Sequence, residues 1–383
     1  AAVNKARHMA AALAVLAAAV ATAGRAPATE SPQVRVGVAV EQTMIRIDAD
    51  TAITATDATA APITLPRGPY EFQPTANGMA SSATDFGPIV SLRTASGLVR
   101  VGGRLYRGVV ELRRTPAGRL TAINEVDLEQ YLYGVIKGEI DPRWPPEAVK
   151  AQAVAARTLA LDALSPSSAK YASEGYALRA TTDSQVYLGV QGEDAAGIAA
   201  VDATRGLIMT FGGQPIFAAY HSNSGGHTED SENVWGTVYP YLRGVPDPYA
   251  LDAPGTQWTA SLPVGAVEGN LRRGGIDAER LRAVVPARVT PWGRAVTVRL
   301  MEEAGRAQEI SANQFRLLVG PSVIRSTMFT VTRTGVDLGF TGRGSGHGVG
   351  LDQWGARAMA LKGYTFEQIL SYYYSGIAVV RGY

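Results

Sequence analysis

Apolar and polar positions alternate with two different periods along this chain, and the change of period divides it into two parts. Between residues 34 and 124, short runs such as VRVGVAV, IVSLRT and YRGVVELRR place apolar side chains near every second position, with polar or glycine-containing turns between them. This period and the β-branched composition predict strands. From residue 125 to residue 383, helical patterns come between the strand-like runs. We therefore predict a mixed α+β fold: a β-rich N-terminal lobe, with an exposed loop at 69–88, followed by a helix-containing lobe.

The first helical pattern ends in an acid on its apolar face. At about 100° per residue, Leu128, Leu132, Val135 and Glu139 point in nearly the same direction. An isolated ionised carboxylate is costly to bury, so such a group either finds a partner or stays protonated with a raised pKa. A carboxyl that is protonated near neutral pH is what a general acid needs. The pattern alone leaves two interpretations open: a catalytic acid, or an acid at a helix end that reaches water.

A second helix follows a proline-containing break. The segment DPRWPP at 141–146 ends the first helix and suits the first turn of another, which is predicted from about Glu147 to Leu164. Arg157 lies between Val154 and Leu161 on an apolar-looking face. Its guanidinium would form a buried ion pair, bind an anion of the substrate, or reach the surface while its stem packs.

Composition and charge exclude several classes of protein. The 383 residues include 46% hydrophobic and 18% charged residues, which is typical of a globular chain. The 36 basic and 34 acidic residues give a net charge of +2, too weak for a nucleic-acid binder. The chain contains no cysteine, so disulfides, thiol nucleophiles and cysteine-ligated metals are excluded.

The first residues are typical of an export signal. In residues 1–25, Lys5 and Arg7 precede an apolar run from Met9 to Val20, and small residues then offer a cleavage site. An uncleaved membrane anchor is the alternative, although the run is short for a span. Residues 26–33 are small and polar, as in a linker. We therefore predict an extracytoplasmic protein with no stable membrane span after cleavage.

The remaining histidines lie in two glycine-containing segments. Of the four histidines, one falls in the predicted signal, and the others are His221, His227 and His347. The segments are 220–236, reached through a predicted hairpin, and 342–355, where GRGSGHGVG precedes a helix. We predict that the three histidines converge on one site. The residues between these segments, at 252–334, show strand and helix patterns but no candidate for chemistry.

Three stretches carry a resemblance to a known family. They are EVDLEQYLYGVIKGEI with EAVKAQAVAARTLAL at 125–161, YHSNSGGHTEDSENVWG at 220–236, and GRGSGHGVGLDQWGARAMALKGYTFEQILSYYYSG at 342–376. In this order they resemble the SpoIID/LytB domain family, which includes the stage II sporulation protein D and the LytB amidase enhancers. The resemblance extends from about residue 35 to the C-terminus and implies a central cleft between the lobes.

The resemblance implies a peptidoglycan lytic transglycosylase that cleaves between N-acetylmuramic acid and N-acetylglucosamine. In such an enzyme Glu139 would be the single general acid and base, because the muramyl 6-hydroxyl can replace water as the nucleophile. The resemblance places Arg157 in the cleft, where it would hold the substrate or orient the acid. The other residues expected to bind the glycan strand are Tyr220, His221, Ser224, His227, Gly346, His347 and Gln353.

No cofactor is predicted. The H-x5-H spacing of His221 and His227 would suit two zinc ligands, with Glu229, Glu232 or His347 as a third. Some members of the family hold zinc here with cysteines, which this chain lacks. Without a metal, neutral imidazoles would hydrogen-bond sugar hydroxyls, and protonated ones would change the pKa of Glu139.

Three alternatives to a transglycosylase stay open at this point. The chain could be a non-catalytic, glycan-binding enhancer of a cell-wall amidase, which would then be its partner, or a purely structural envelope protein. A muramidase-type hydrolase would need a second carboxylate. The candidates for that group are Glu229, Asp230 and Glu232.

Overall fold

The computed structural model describes residues 30–57 and 61–383. The predicted signal at 1–25 and most of the predicted linker lie outside these residues. Within them, helices and several separate sheets confirm the predicted mixed α+β class. No helix in these two ranges is long and apolar enough to cross a membrane.

The N-terminal lobe consists of strands whose apolar side chains point into one shared core. Its strands are β1 (Gln33–Gln42), β2 (Ile45–Asp48), β3 (Ile53–Asp57), β4 (Ile63–Leu65), β5 (Tyr70–Pro74), β6 (Met79–Ser81), β7 (Asp85–Phe86), β8 (Ile89–Thr94), β9 (Leu98–Val101), β10 (Arg104–Arg107), β11 (Val109–Arg114) and β12 (Leu120–Asp127). One sheet has the order β1-β12-β11-β8-β3-β4, and the other has the order β10-β9-β2-β5-β6-β7. The predicted loop at 69–88 is wrong. Half of this stretch forms β5, β6 and β7, because Phe72, Met79 and Phe86 supply widely spaced anchors for the core.

Two helices connect this lobe to the rest of the chain. The next elements are α1 (Leu128–Glu139), α2 (Pro146–Leu164), β13 (Leu178–Arg179) and α3 (Ala195–Ala203). Asp127 caps α1 by accepting hydrogen bonds from the backbone N–H groups of Glu129 and Gln130. Pro146 occupies the first turn of α2, as the sequence predicts. β13 pairs in parallel with β1 and extends the first sheet.

The second helix is buried on nearly all sides. One face, with Val149, Ala153 and Ala156, packs into the core of the N-terminal lobe. Another face, with Ala151 and Val154, packs into a second core made by the C-terminal elements. A helix that is apolar all round belongs in the interior, and the small alanine side chains let both cores approach its backbone closely.

Arg157 on this helix is completely buried and forms an ion pair with Glu129 of α1. Its Nη2 and Nε atoms lie 2.7 and 3.0 Å from the two carboxylate oxygens, and neither side chain is exposed. Further hydrogen bonds run from the guanidinium to the carbonyls of Val201 and Leu207. The buried pair that the sequence left open therefore exists, but its acid is Glu129 and not Glu139.

The C-terminal elements form the second core and an inserted third one. The elements are β14 (Leu207–Phe211), β15 (Gln214–Pro215), β16 (Tyr220–His221), α4 (Ser231–Trp235), β17 (Gln257–Pro263), α5 (Val264–Arg273), β18 (Leu281–Pro286), β19 (Thr297–Glu302), β20 (Ala307–Ser311), α6 (Ala312–Val319), β21 (Phe329–Thr334), β22 (Asp337–Arg343), β23 (Leu351–Asp352), α7 (Gln353–Leu361), α8 (Phe366–Tyr373) and β24 (Ala378–Arg381). β14 and β15 are the predicted hairpin. Elements β17 to β22 enclose their own hydrophobic core, and β16 pairs in parallel with β23, which joins the two glycine-containing segments.

The buried ion pair generates a test of stability. Arg157→Met leaves the Glu129 carboxylate buried without its cation, so the free energy of unfolding should fall by about 3–5 kcal/mol. Removing both charges in Glu129→Leu/Arg157→Met should restore most of that loss. Urea denaturation measures both.

The matched control is Arg299→Met, which breaks a half-exposed pair with Glu309 and should cost less than about 1 kcal/mol. A double variant as unstable as Arg157→Met would show that the lost hydrogen bonds, and not the unpaired charge, dominate.

Candidate functional site

A cleft of about 620 Å³ opens where α1 ends. It is built from the link between α1 and α2, the start of α3, the first glycine-containing segment and the first turn of α7. The residues that line it are Lys137, Gly138, Glu139, Ile140, Asp141, Pro142, Arg143, Trp144, Asp194, Ser222, Gln353 and Trp354. Two residues predicted from the sequence, Glu139 and Gln353, are therefore in its wall.

Glu139 is half-buried at the C-terminal end of α1. Burial raises the pKa of its carboxyl from 4.5 to about 7, against the opposing effect of two hydrogen bonds. The backbone N–H of Val186 donates to Oε1 over 2.6 Å, and the hydroxyl of Tyr220 donates as well. No cation pairs with Glu139 in the part of the chain that the structure describes. The carboxyl can therefore carry a proton near neutral pH, which a general acid requires.

Two glycines of α1 let the chain bring Val186 to the acid. A Cβ atom on Gly138 would lie 2.4 Å from the carbonyl oxygen of Val186, and one on Gly134 would lie 2.6 Å from the ring of Tyr187. The segment 185–187 is irregular and lies directly on the helix. Because Gly134 and Gly138 have no side chains, residues 186 and 187 can pack against α1 closely enough for the Val186 N–H to reach Glu139.

Tyr220 connects the acid to the protein interior. Its hydroxyl accepts a hydrogen bond from the amide of Gln185 (3.1 Å), and the oxygen of the same amide accepts one from Tyr131 (3.0 Å). Tyr220 itself is fixed by the parallel pairing of β16 with β23, opposite Leu351. The structure thus places Tyr220 against Glu139, and its predicted role in binding the glycan stays a prediction.

The two glycine-containing segments also meet directly. Asn223 and Ser345 form an antiparallel bridge, and the buried carboxyl of Asp352 accepts a 2.6 Å hydrogen bond from the N–H of Ser224. Gly346 adopts a positive φ of 102°, and a Cβ there would lie 2.8 Å from Cβ of His221. Ser224, which the sequence predicts as a glycan-binding residue, is fully buried and does not line the cleft. The serine of this segment that does line the cleft is Ser222. Gly346 holds the backbone together and does not line the cleft.

Two of the three histidines are in contact. The rings of His221 and His347 have centroids 5.5 Å apart. Nδ1 of His221 lies 3.1 Å from the carbonyl oxygen of Val349, and Nδ1 of His347 accepts a hydrogen bond from the N–H of the same residue. Burial lowers the pKa of both, to about 3 for His347, so both are neutral. His227 lies instead on Trp292, with ring centroids 4.0 Å apart and planes nearly parallel. The structure thus brings His221 and His347 together, and His227 has a different ring partner.

The side chains of the first glycine-containing segment do not form an evident metal site. No group of three or more histidine or carboxylate side chains suited to a metal ion occurs in residues 30–57 and 61–383. His221 packs on His347 while His227 stacks on Trp292, so the contacts of the two proposed ligands differ. The expectation that no cofactor is needed stays a prediction.

The carboxylates proposed as a second acid lie outside the cleft wall. Glu229 is buried and accepts hydrogen bonds from Asn233 and Thr290. Asp230 and Glu232 lie beside Arg243, which lowers the pKa of Glu232 to about 2. The additional carboxylates that do line the cleft are Asp141 and Asp194, neither of which the sequence singles out.

Three further findings correct or extend the prediction. Arg157 is placed away from the cleft wall, because its guanidinium is used in the ion pair with Glu129. The segment 252–334 supports the first glycine-containing segment, since Arg294 donates a 2.8 Å hydrogen bond to the carbonyl of Ser224. Trp144 and Trp354 line the cleft, and only their position beside the motifs could have indicated this.

Comparison with known proteins adds to this geometry. A family model described as Stage II sporulation protein matches residues 116–211, which include α1, α2 and α3. The chain is 30% identical over 269 residues to Stage II sporulation protein D of Bacillus subtilis, covering 67% of this chain and 76% of that protein. It is 34% identical over 261 residues to an uncharacterized protein of Brachyspira hyodysenteriae, covering 68% of each. The amidase enhancer of Bacillus subtilis is 27% identical over 290 residues, which are 64% of this chain but 39% of that protein.

The raised pKa of Glu139 predicts an effect on stability. Between pH 4.5 and about 7 the folded protein keeps a proton that the unfolded chain loses, so stability falls as the pH rises through this window and stays lower above it. Glu139→Gln abolishes this titration. We expect the variant to match the parent at pH 4 and to exceed it at pH 8 by up to about 2–3 kcal/mol in the free energy of unfolding.

Denaturation at both pH values measures the difference, with Glu71→Gln, at an exposed position of β5, as the control. If both variants follow the parent at every pH, the carboxyl of Glu139 is ionised normally in the folded protein.

Proposed function

The chain belongs to the SpoIID family, and on this premise we propose that it is a peptidoglycan lytic transglycosylase. In this proposal it cleaves the bond between N-acetylmuramic acid and N-acetylglucosamine outside the cytoplasm. The observation that carries the proposal is Glu139, an acid with no cationic partner among the described residues, with a pKa of about 7, in the wall of a cleft. A group with this pKa both gives and takes a proton at neutral pH.

The proposed reaction uses one carboxyl twice. The protonated Glu139 gives its proton to the oxygen that links the two sugars, and the bond from that oxygen to C1 of the muramyl residue breaks. The 6-hydroxyl of the same muramyl residue then forms a bond to C1 and returns its proton to the carboxylate. The products are a 1,6-anhydro-muramyl end and a free 4-hydroxyl, and the enzyme is restored.

The other two carboxylates in the cleft wall, Asp141 and Asp194, make local contacts. A hydrolase needs a second acid that acts as a nucleophile or activates water. Asp141 accepts three hydrogen bonds from Arg143, two from the guanidinium and one from the backbone N–H, and they lower its pKa to about 2. Asp194 caps α3 by accepting from the N–H of Ala196. Both are engaged in local structure, and either would be the first candidate if hydrolysis were found.

The remaining residues of the site have positioning roles in this proposal. Tyr220 orients the carboxyl, while Ser222 and Gln353 offer polar groups to the sugar. His221 and His347, being neutral, hold the two glycine-containing segments together. The interior position of Arg157 assigns it to the support of α1 and not to the substrate.

The similarity to the amidase enhancer supports a second candidate function. In that case the cleft would bind the glycan and stimulate a cell-wall amidase without cutting the strand. The two functions differ in whether Glu139 is needed.

Product analysis decides between these functions. Purified protein and Glu139→Gln are incubated with peptidoglycan, with and without its stem peptides, and the products are identified by mass spectrometry. We expect anhydro-muramyl ends from the parent and a loss of at least about a hundredfold in rate from the variant.

Reducing muramyl ends would instead establish hydrolysis and direct attention to Asp141 and Asp194. Binding of glycan by both proteins without cleavage would support the enhancer function. Equal production of anhydro ends by both proteins would contradict the role of Glu139.

The hydrogen bond from Tyr220 predicts a shift in the pH dependence. The Tyr220 hydroxyl favours the ionised form of Glu139, so Tyr220→Phe should raise the pKa of the acid above about 7. The rate should then persist to higher pH before it declines. The control is Tyr133→Phe. Tyr133 lies on the same helix as Glu139, but its hydroxyl contacts Asp202 and not the acid. An unchanged alkaline limb in Tyr220→Phe would show that this hydrogen bond does not control the acid.

A further inference from the structure

Two tryptophans from distant parts of the sequence meet in the wall of the cleft. Trp144 lies in the link between α1 and α2, and Trp354 lies in the first turn of α7. Their ring centroids are 4.8 Å apart, with planes inclined by 49°. Both line the cleft that contains Glu139.

Trp354 is not a residue of the hydrophobic core. It is half-buried, and it belongs to none of the hydrophobic clusters formed by the described residues. Its indole N–H and that of Trp144 have no acceptor in the described part of the protein, whereas Trp258 donates to the carbonyl of Gly344. A large aromatic side chain in a pocket wall, with a free donor, is suited to ligand binding.

The tryptophan pair is fixed in place by its neighbours. The guanidinium of Arg357 lies over both rings, 5.4 Å from the centroid of Trp354 and 5.9 Å from that of Trp144. The backbone N–H of Trp354 donates to the carbonyl of Ser222, and that of Trp144 donates to the carbonyl of Asp141. The indole of Trp354 is therefore held on a prepared surface and does not need to be ordered by the ligand.

The same elements connect this pair to the acid. Trp354 follows β23 by two residues, and β23 pairs with β16, which carries Tyr220. Tyr220 is hydrogen-bonded to Glu139. Trp144 follows Glu139 by five residues in a turn closed by Asp141. The acid and the aromatic surface thus belong to one rigid unit.

We propose that Trp354, braced by Trp144, is the stacking platform for an N-acetylated pyranose ring of the substrate. One face of a pyranose presents C–H groups, which pack on an aromatic ring, while its hydroxyl and acetamido groups point outward from the edge. Ser222 and Gln353 lie beside the platform and can bond such groups. This inference rests on the proposed function, because it assigns a substrate sugar to the same cleft.

The test measures binding separately from cleavage. In the Glu139→Gln background, Trp354 is changed to Ala or Phe, and the tetramer of N-acetylglucosamine is titrated by calorimetry. Loss of the ring in Trp354→Ala should weaken binding roughly tenfold, while Trp354→Phe should stay within about threefold of the parent. Leu361→Ala, at an exposed position on the same helix, should leave affinity unchanged. Equal melting temperatures show that the variants are folded.

Binding by Trp354→Ala within twofold of the parent would overturn the proposal, and so would an absence of saturable binding by the parent. A second readout is tryptophan fluorescence, in which the sugar should quench the parent but not Trp354→Phe. Failure of the platform and failure of the catalytic proposal give different results. A protein that binds the tetramer through Trp354 but yields no anhydro ends would retain the platform and lose the assigned reaction.

Discussion

The architecture depends on how one helix treats two glutamates that both lie against the interior. Glu129, near the start of α1, is fully buried; although burial opposes it, hydrogen bonds from Arg157 and Tyr383 keep the pKa of its carboxyl below the usual value. Glu139, at the other end, pairs with no cation of residues 30–57 and 61–383, and burial raises its pKa to about 7. The charged carboxylate of Glu129 therefore stabilises the fold, while the carboxyl of Glu139 can hold a proton near neutral pH. Because both are on one rigid helix, the ion pair that fixes α1 also fixes the acid.

The central position of α2 explains why the site lies where it does. This helix contributes to the cores of both lobes, so the link that precedes it must pass between them. That link carries Asp141 and Trp144 into the cleft wall. From the other side, pairing of β16 with β23 brings Tyr220 and the first turn of α7 to the same place. Residues more than two hundred positions apart thus form one surface through very few backbone contacts.

Sequence patterns predict those parts of this arrangement that depend on local rules. The boundaries of α1 and α2 follow from the prolines at 142, 145 and 146, and the inward position of Glu139 follows from helical periodicity. The partner of Arg157 could not be predicted, because a helical face shows that a side chain points inward but not which side chain of another element it meets. For the same reason the sequence could not show that Ser222, and not Ser224, lines the cleft. Neighbouring residues of one loop are equivalent until the opposing loop fixes their direction.

The hydrogen bond from Val186 limits how far burial raises the pKa of Glu139. Without a donor, the buried carboxyl would have a still higher pKa and would not readily give up its proton. With a cation nearby, as for Glu129, it would remain ionised and have no proton to give. A neutral backbone donor lies between these two cases. Gly134 and Gly138 are what permit it, because any side chain there would collide with residues 186 and 187 and push the donor away. Gly134 and Gly138 therefore influence the pKa of Glu139 indirectly, because they let the Val186 N–H reach its carboxyl group.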